Sequence, residues 1–327
     1  MTVELLRTPA AAAFLSGEVS RAGRWRRLLL TLVLGLLAGV TAAMLSLFAV
    51  LLLAGLVFSA TSHVGLGDAT GVLLDSGRAG RNLFSYTFEL AVAGVSSYAA
   101  AAAFMAVAAR LEHRRIRSFL TVAPAFRWRQ VGLGLVIFLP VISLAIWIAS
   151  LTGTTPVPPL FAPGEPFVAR LAYVAAAVFF LYLAALSEEM LFRGWALQQT
   201  GVFTRRLWII LLVNGVLFSL AHFDPDPAAF LSRAIMGMGW TWIVLRLGGV
   251  ELTTGAHLAN NLAICLFVKP ILFITPKREP FDVASVALEA ATVVLLVLAV
   301  EGVLRRWPIL AARSLSPAGG TGGGASR

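Results

Sequence analysis

Charged residues are scarce in this chain: Asp, Glu, Lys and Arg make up 13% of it, about half of their share in a typical soluble domain. Hydrophobic residues fill 59% of the sequence. Apolar runs of about 18 residues or more predict transmembrane helices, because each helix has to cross roughly 30 Å of hydrocarbon. Several runs reach that length. The composition therefore excludes a soluble globular domain and predicts an all-α, polytopic membrane protein.

Cysteine is nearly absent as well. The single Cys265 permits no disulfide within the chain and no zinc site built from cysteines. The charges that are present are mostly positive, with a formal net charge of +10. In a soluble protein this excess would suggest nucleic acid as a partner, but the sequence contains no nucleic-acid-binding motif of basic and aromatic residues. We therefore expect membrane lipids as partners and no nucleic acid.

Apolar segments divide the chain into about eight predicted transmembrane helices. They cover residues 28–58, 83–109, 130–151, 170–199, 205–223, 228–247, 251–274 and 284–304. The predicted regions are a basic cytoplasmic N-terminal segment (1–27), N-terminal transmembrane helices (28–165), a membrane domain that carries the polar motifs (166–275), a last transmembrane helix (276–306) and a flexible cytoplasmic tail (307–327).

The placement of Lys and Arg orients the predicted bundle. These residues concentrate in segment 1–27, in loop 110–129 and after the last span, whereas the loops on the other side carry few of them. The positive-inside rule then predicts that both termini are cytoplasmic, which an even number of spans requires. Arginine far outnumbers lysine, as in GC-rich coding sequences. We therefore expect a multi-pass protein of a cell membrane, namely a bacterial inner membrane.

The fourth predicted span contains two adjacent carboxylates, Glu188 and Glu189. Ionisable residues within spans are costly, so they are functional candidates by default. Arg193 follows Glu189 by four residues, with the acid before the base, which is the favoured order for an ion pair on a helix. We interpret Glu189 and Arg193 as a supporting pair. Glu188 then keeps a free carboxylate, which suits a general base.

Histidine and asparagine residues recur at one-turn spacing in two later spans. Asn214, Phe218 and His222 share one face of the fifth span, and His257 and Asn261 share one face of the seventh. Such residues can simply join helices through hydrogen bonds. Residue counts from the cytoplasmic ends, at 1.5 Å per residue, place His257 near the middle of the bilayer and His222 deeper. His222 is therefore the outlier of a predicted shared site.

Three short motifs, each on its own span, together resemble the CAAX protease and bacteriocin-processing family of intramembrane peptidases, also called CPBP or Abi. The resemblance covers about residues 170–270. The motifs are Glu188-Glu189-x-x-x-Arg193, Phe218-x-x-x-His222 and His257-x-x-x-Asn261.

The resemblance implies an endopeptidase that hydrolyses a peptide bond of a membrane-associated peptide or protein. It implies that Glu188 and His222 activate a water molecule. It further implies that His257 and Asn261 stabilise the oxyanion, a task that suits donors in a dry site. Prenylated CAAX tails, bacteriocin leaders and other membrane peptides are all candidate substrates.

A metal-based mechanism stays open beside this one. Glu188, His222 and His257 form an acceptable ligand set for a divalent metal such as zinc, and the family is commonly labelled metalloprotease. The sequence lacks the His-Glu-x-x-His helix that places zinc ligands locally. The residues therefore favour metal-independent glutamate chemistry.

Two other functions are compatible with the same polar cluster. A proton-coupled transporter could relay protons through the glutamate and the histidines. Discontinuous helices and paired half-repeats would favour a transporter, and we see neither pattern. A non-proteolytic immunity or scaffolding member of the family is the second alternative. The oligomeric state stays open.

Overall fold

A computed structural model describes residues 5–15, 23–74, 82–151, 157–270 and 281–307. Over these residues the chain is helical and forms no strand, apart from an isolated bridge between Thr121 and Gly249. The prediction of an all-α, polytopic membrane protein is confirmed. The helices are α1 (Pro9–Leu15), α2 (Arg24–Ser62), α3 (Leu66–Leu74), α4 (Leu83–Leu111), α5 (Arg117–Leu120), α6 (Trp128–Leu151), a 3-10 turn (Pro159–Phe161), α7 (Phe167–Glu188), a π-helical segment (Glu189–Ala196), α8 (Leu197–Phe203), α9 (Leu207–Leu220), α10 (Pro227–Leu247), α11 (Glu251–Phe267) and α12 (Val283–Arg306).

Six stretches of the described chain are long and apolar enough to cross a membrane. They are α2, α4, α6, the continuous helix Phe167–Phe203, α10 and α12. The other two predicted spans correspond to α9, with 14 residues, and α11, with 17 residues. Both fall short of the roughly 20 residues that a span usually needs. The end predicted for the seventh span at residue 274 lies among residues outside the described ranges.

Helix α11 is short because protein rather than lipid surrounds it. Nearly all of its side chains are buried. Glycines allow α6 to approach it closely: a Cβ atom on Gly134 would overlap the carbonyl oxygen of Leu252, and one on Gly255 would overlap that of Val131. Small residues commonly permit such contacts between membrane helices, where no hydrophobic drive brings the helices together. The helix that carries His257 is therefore the centre of the bundle.

The N-terminal end of α11 is anchored by a buried ion pair. Nε of Arg127 lies 2.9 Å from one carboxylate oxygen of Glu251, and Nη2 lies 2.7 Å from the other. Arg127 also donates from Nη1 to the carbonyl oxygen of Leu247 at the end of α10. Arginine suits this position because its planar fork matches a carboxylate in two places. One side chain thus joins the loop before α6 to both α10 and α11.

The N-terminal segment contributes apolar packing as well as charge. Leu5, Ala11, Phe14 and Leu15 are buried among residues of α8, α9 and α10. The predicted tail, apart from Trp307, lies outside the described residues.

Candidate active site

A π-helical segment begins immediately after Glu188, which is the last residue of α7. A π segment is rare and is often found at functional sites, because its wider turn re-aims the side chains that follow. Here the carboxylates of Glu188 and Glu189 both reach His257, although they leave the helix in different directions. Gly194 lies within this segment. A Cβ atom added to it would lie only 3.1 Å from the carbonyl oxygen of Phe119, so a side chain here would be crowded. The local sequence gives no evident signal of this widening.

Glu189 and Arg193 form a fully buried ion pair. Nη1 of Arg193 lies 3.1 Å from Oε1 of Glu189, and both side chains are 0% exposed. The guanidinium carbon of Arg193 lies 4.0 Å from the ring centre of Phe218 and 5.2 Å from that of Trp240. Aromatic faces attract cations and contribute more when water is excluded. The pair predicted from the i, i+4 spacing is therefore present, with two aromatic rings beside it.

His257 stands between the two glutamates. Its Nδ1 lies 3.2 Å from Oε1 of Glu189, within hydrogen-bond distance. Its Nε2 lies 3.6 Å from Oε2 of Glu188. The ring of Trp240 packs against the imidazole, with ring centres 4.5 Å apart. Because the Glu189 carboxylate also faces Arg193, we infer that it is ionised and accepts a hydrogen bond from the Nδ1–H group of His257.

His222 approaches the same carboxylate from another helix. It lies two residues beyond the end of α9, and its Nδ1 donates to the carbonyl oxygen of Phe218 at 2.8 Å. Its Nε2 lies 3.9 Å from Oε2 of Glu188. Counting residues from the cytoplasmic helix ends placed His222 deeper in the membrane than His257. That count treats the helices as parallel, whereas real helices differ in tilt. The structure brings both imidazoles to one oxygen atom.

Glu188 is thus the carboxylate at the centre of the cluster. About 30% of its side chain is exposed, yet its Oε2 atom is buried and makes no hydrogen bond to any residue that the structure describes. Glu189 differs sharply, since its two oxygens accept from Arg193, His257 and Thr253. A buried polar atom without a partner is uncommon in folded proteins and marks a candidate functional group.

Asn261 is half-buried one turn beyond His257 on α11. Its Oδ1 accepts a hydrogen bond from Nδ2 of Asn260 at 3.2 Å. This bond occupies the acceptor end of the Asn261 amide and leaves the amino end as the donor. Asn214, in contrast, has its hydrogen bonds elsewhere: it is fully buried, and its Nδ2 donates to the carbonyl oxygen of Ile210 at 2.8 Å.

Sequence reasoning missed two residues of this site, Trp240 and Thr253. Trp240 is fully buried between Phe218, Arg193 and His257. Tryptophan is common at membrane interfaces, so its presence in an apolar helix carries no signal of a site. Thr253 precedes His257 by one helical turn, and that spacing is the one clue that could have indicated it.

The metal alternative was tested against the positions of the donors. Glu188, His222 and His257 offer an oxygen and two imidazole nitrogens, which are suitable ligand types for zinc. Among the described residues, however, no group of three His, Cys, Asp or Glu side chains is arranged to hold a metal ion. The two Nε2 atoms lie 3.6 and 3.9 Å from Oε2 of Glu188, somewhat farther than the roughly 3.3 Å between two ligands of one tetrahedral zinc ion. The ligand types therefore fit zinc, but the described residues form no cluster of three ligands, and the proposed reaction uses side chains alone.

Comparison with known proteins identifies the region that contains these residues. Residues 170–263 match the family model of the Rce1-like type II CAAX prenyl endopeptidases. This match confirms the resemblance that the three motifs suggested, and it supports an intramembrane-protease-like function for the matched region.

A curated relative matches the chain over a longer stretch. The uncharacterised protein YyaK from Bacillus subtilis (strain 168) is 27% identical over 162 residues, which are 47% of this chain and 53% of that protein. The chain thus covers about half the length of this relative. No solved structure matches the chain significantly.

Proposed function

We propose that this chain is an intramembrane endopeptidase of the CAAX-protease type, which hydrolyses a peptide bond of a membrane-associated peptide or protein. The observation that carries the proposal is the position of one atom. Oε2 of Glu188 is buried, lacks a hydrogen bond to any described residue and faces Nε2 of both His222 and His257. A carboxylate so placed can accept a proton from a water molecule bound between it and the imidazoles.

The proposed reaction begins with that water. Glu188 takes one of its protons while the oxygen attacks the carbonyl carbon of the peptide. His222 orients the water by accepting a hydrogen bond from it at Nε2. This nitrogen is free for that role because the Nδ1 proton is donated to the carbonyl oxygen of Phe218. The carbon–nitrogen bond then breaks, and the proton held by Glu188 passes to the leaving amine. Water is consumed, and a carboxylic acid and an amine are released, which exchange a proton to become a carboxylate and an ammonium group.

The oxyanion formed in this reaction needs donors close by. The free amino end of the Asn261 amide can supply one. His257 can supply another from Nε2 only when its imidazole is doubly protonated, because its Nδ1 proton is directed at Glu189. In that state a carboxylate faces each nitrogen of the ring. A donor aimed at a developing oxyanion is typically worth about 3–4 kcal/mol.

The substrate class follows from the family match and from the surroundings of the site. The matched family is described as prenyl endopeptidases acting on CAAX sequences. We propose a lipidated or otherwise membrane-bound peptide as substrate, with the enzyme in a bacterial inner membrane and both termini in the cytoplasm. The uneven distribution of Lys and Arg supports this orientation.

The proposal is tested with the purified full-length chain in lipid bicelles. The probes are a quenched fluorescent peptide that ends in a prenylated CAAX sequence and its unprenylated twin. We expect cleavage by the wild type and a loss of at least about 100-fold in the Glu188→Gln variant, the usual size of a general-base contribution. Glu289→Gln is the matched control, since Glu289 is a half-buried glutamate on α12 whose Oε1 atom is likewise buried and makes no hydrogen bond to any described residue.

Three results would decide between the alternatives. Equal cleavage by wild type and Glu188→Gln would refute the assignment. Folded wild-type protein that cleaves neither peptide would favour a non-proteolytic role. Loss of activity on addition of a chelator, with recovery on addition of zinc, would restore the metal mechanism.

A further inference from the structure

Thr253 lies in the first turns of α11 and is completely buried. Its hydroxyl oxygen is 2.7 Å from Oε2 of Glu189 and 2.9 Å from the carbonyl oxygen of Val250. A threonine hydroxyl has one proton and can donate to one of these acceptors at a time. The Val250 carbonyl already accepts from the backbone N–H and the hydroxyl of Thr254. Glu189 is therefore the acceptor that depends on the Thr253 proton.

The two oxygens of Glu189 have different partners. Oε1 lies within hydrogen-bond distance of Arg193 and of Nδ1 of His257. Oε2 accepts from Thr253. A carboxylate held at only one oxygen can rotate about its terminal bond, because that torsion is broad and lacks sharp minima. The Thr253 hydroxyl holds the second oxygen and so restricts this rotation.

We propose that Thr253 is a positioning residue of the active site. It orients Glu189 so that Oε1 accepts a hydrogen bond from the Nδ1–H group of His257, and thereby directs Nε2 of His257 towards Glu188. The effect on catalysis rests on the proposed function. The hydrogen bonds from Thr253 to Glu189 and from His257 to Glu189 can be observed without any catalysis.

The chemical consequence is a choice between two tautomers. A neutral imidazole carries its proton on one nitrogen, and the hydrogen bond at the other end decides which one. With Glu189 fixed, the proton of the neutral His257 ring lies on Nδ1, and Oε2 of Glu188 stays free to accept a proton from water. If Glu189 rotates away, the opposite tautomer becomes accessible, and Nε2 then directs its proton at Glu188 and occupies that oxygen. Thr253 acts on the reaction only through these two residues.

The neighbouring Thr254 provides a matched control. It is equally buried on the same turn, and its hydroxyl donates to the Val250 carbonyl at 2.9 Å. Its hydroxyl makes no hydrogen bond to Glu189, in contrast to that of Thr253. A purely structural role for buried hydroxyl groups at the start of α11 predicts similar effects for both threonines, whereas a positioning role singles out Thr253.

The kinetic experiment compares Thr253→Val, Thr253→Ser and Thr254→Val in the peptide-cleavage assay. Partners that orient active-site histidines typically contribute about 10- to 100-fold, so we expect Thr253→Val to lose that much in kcat with KM nearly unchanged. Thr253→Ser keeps the hydroxyl and should recover most of the rate, and Thr254→Val should resemble the wild type. Equal losses in both valine variants, or failure of serine to rescue, would overturn the proposal. Thr253→Ala replaces Thr253→Val if the valine variant does not fold.

A spectroscopic experiment separates this proposal from the proposed function. NMR of protein with 15N-labelled histidine reports which ring nitrogen carries the proton, and the signals of His257 are assigned by their loss in His257→Gln. We expect a protonated Nδ1 in the wild type and in Thr253→Ser, and loss of that preference in Thr253→Val. The same tautomer in all three would refute the positioning role, whether or not the protein cleaves peptides.

Discussion

Replacing Arg193 with Met tests whether the buried ion pair is needed to hold the site together. The variant leaves the fully buried Glu189 without its counter-ion, and breaking one partner of such a pair typically costs about 3–5 kcal/mol. Thr253 and His257 still face the carboxylate and reduce this cost. The lost contact with the Phe218 ring adds up to about 2 kcal/mol. We therefore expect Arg193→Met to lower the free energy of unfolding by about 4 kcal/mol, which changes the unfolding equilibrium constant on the order of 10³-fold.

The assay is reversible unfolding in mixed micelles, with the denaturing detergent fraction as the variable. It compares wild type, Arg193→Met, Glu189→Gln and the double variant. Replacing both members of a buried pair with neutral groups is often close to neutral, so the double variant should regain most of the stability that Arg193→Met loses. Arg246→Met is the control. It breaks a partly exposed pair with Glu301, which should be worth no more than about 1 kcal/mol.

Two results would refute this reasoning. If Arg193→Met is no less stable than Arg246→Met, the buried pair does not carry the stability assigned to it. If the costs of Arg193→Met and Glu189→Gln simply add in the double variant, the two residues are energetically independent despite their 3.1 Å contact. The double-variant cycle isolates the pair from the general cost of changing a buried side chain.

Three further predictions concern stability and use the same unfolding assay. Gly134→Ala should lower the free energy of unfolding by about 1–3 kcal/mol, because the added Cβ atom would overlap the Leu252 carbonyl oxygen. Gly132→Ala is the control, since its Cβ atom would meet open space and should not destabilise the fold. Equal effects would contradict the close packing of α6 on α11. Phe223 adopts a φ of 50°, so Phe223→Gly should be about 1 kcal/mol more stable than Phe223→Ala, and identical stabilities would argue against backbone strain there. Burial raises the pKa of Glu112 above its ordinary value of 4.5, so the folded state binds this proton more tightly than the unfolded state. Stability should therefore fall as pH rises through the folded pKa, and Glu112→Gln should flatten that fall; an unchanged slope would contradict the assignment.

The polar residues of the site could be predicted from sequence because a membrane makes them conspicuous. Each of Glu188, His222 and His257 lies in or next to an apolar helix, where an ionisable group is costly without a function. The structure brings these three together, and the pairing of Glu189 with Arg193 followed from spacing alone. Sequence could not give the relative depth of His222, because depth depends on helix tilt, and tilt is set by contacts between helices.

Other features of the fold were beyond prediction because they depend on distant parts of the chain. The shortness of α11 reflects its burial among other helices, whereas its sequence reads as an ordinary span. The contact of Arg127 with Glu251 joins residues more than a hundred positions apart, and each residue alone resembles an interfacial charge. The amino-acid composition of the π-helical segment does not distinguish it from an ordinary α-helix.

Adjacent glutamates with opposite environments are the main chemical feature of this site. Glu189 accepts from three side chains and is therefore held as a carboxylate that fixes its neighbours. Such a group is a poor proton acceptor, because taking a proton would break hydrogen bonds that stabilise its charge. Glu188 has one oxygen free of those bonds and directed at two imidazoles. One carboxylate can thus order the site while the other exchanges protons, and the two roles could not be combined in a single residue.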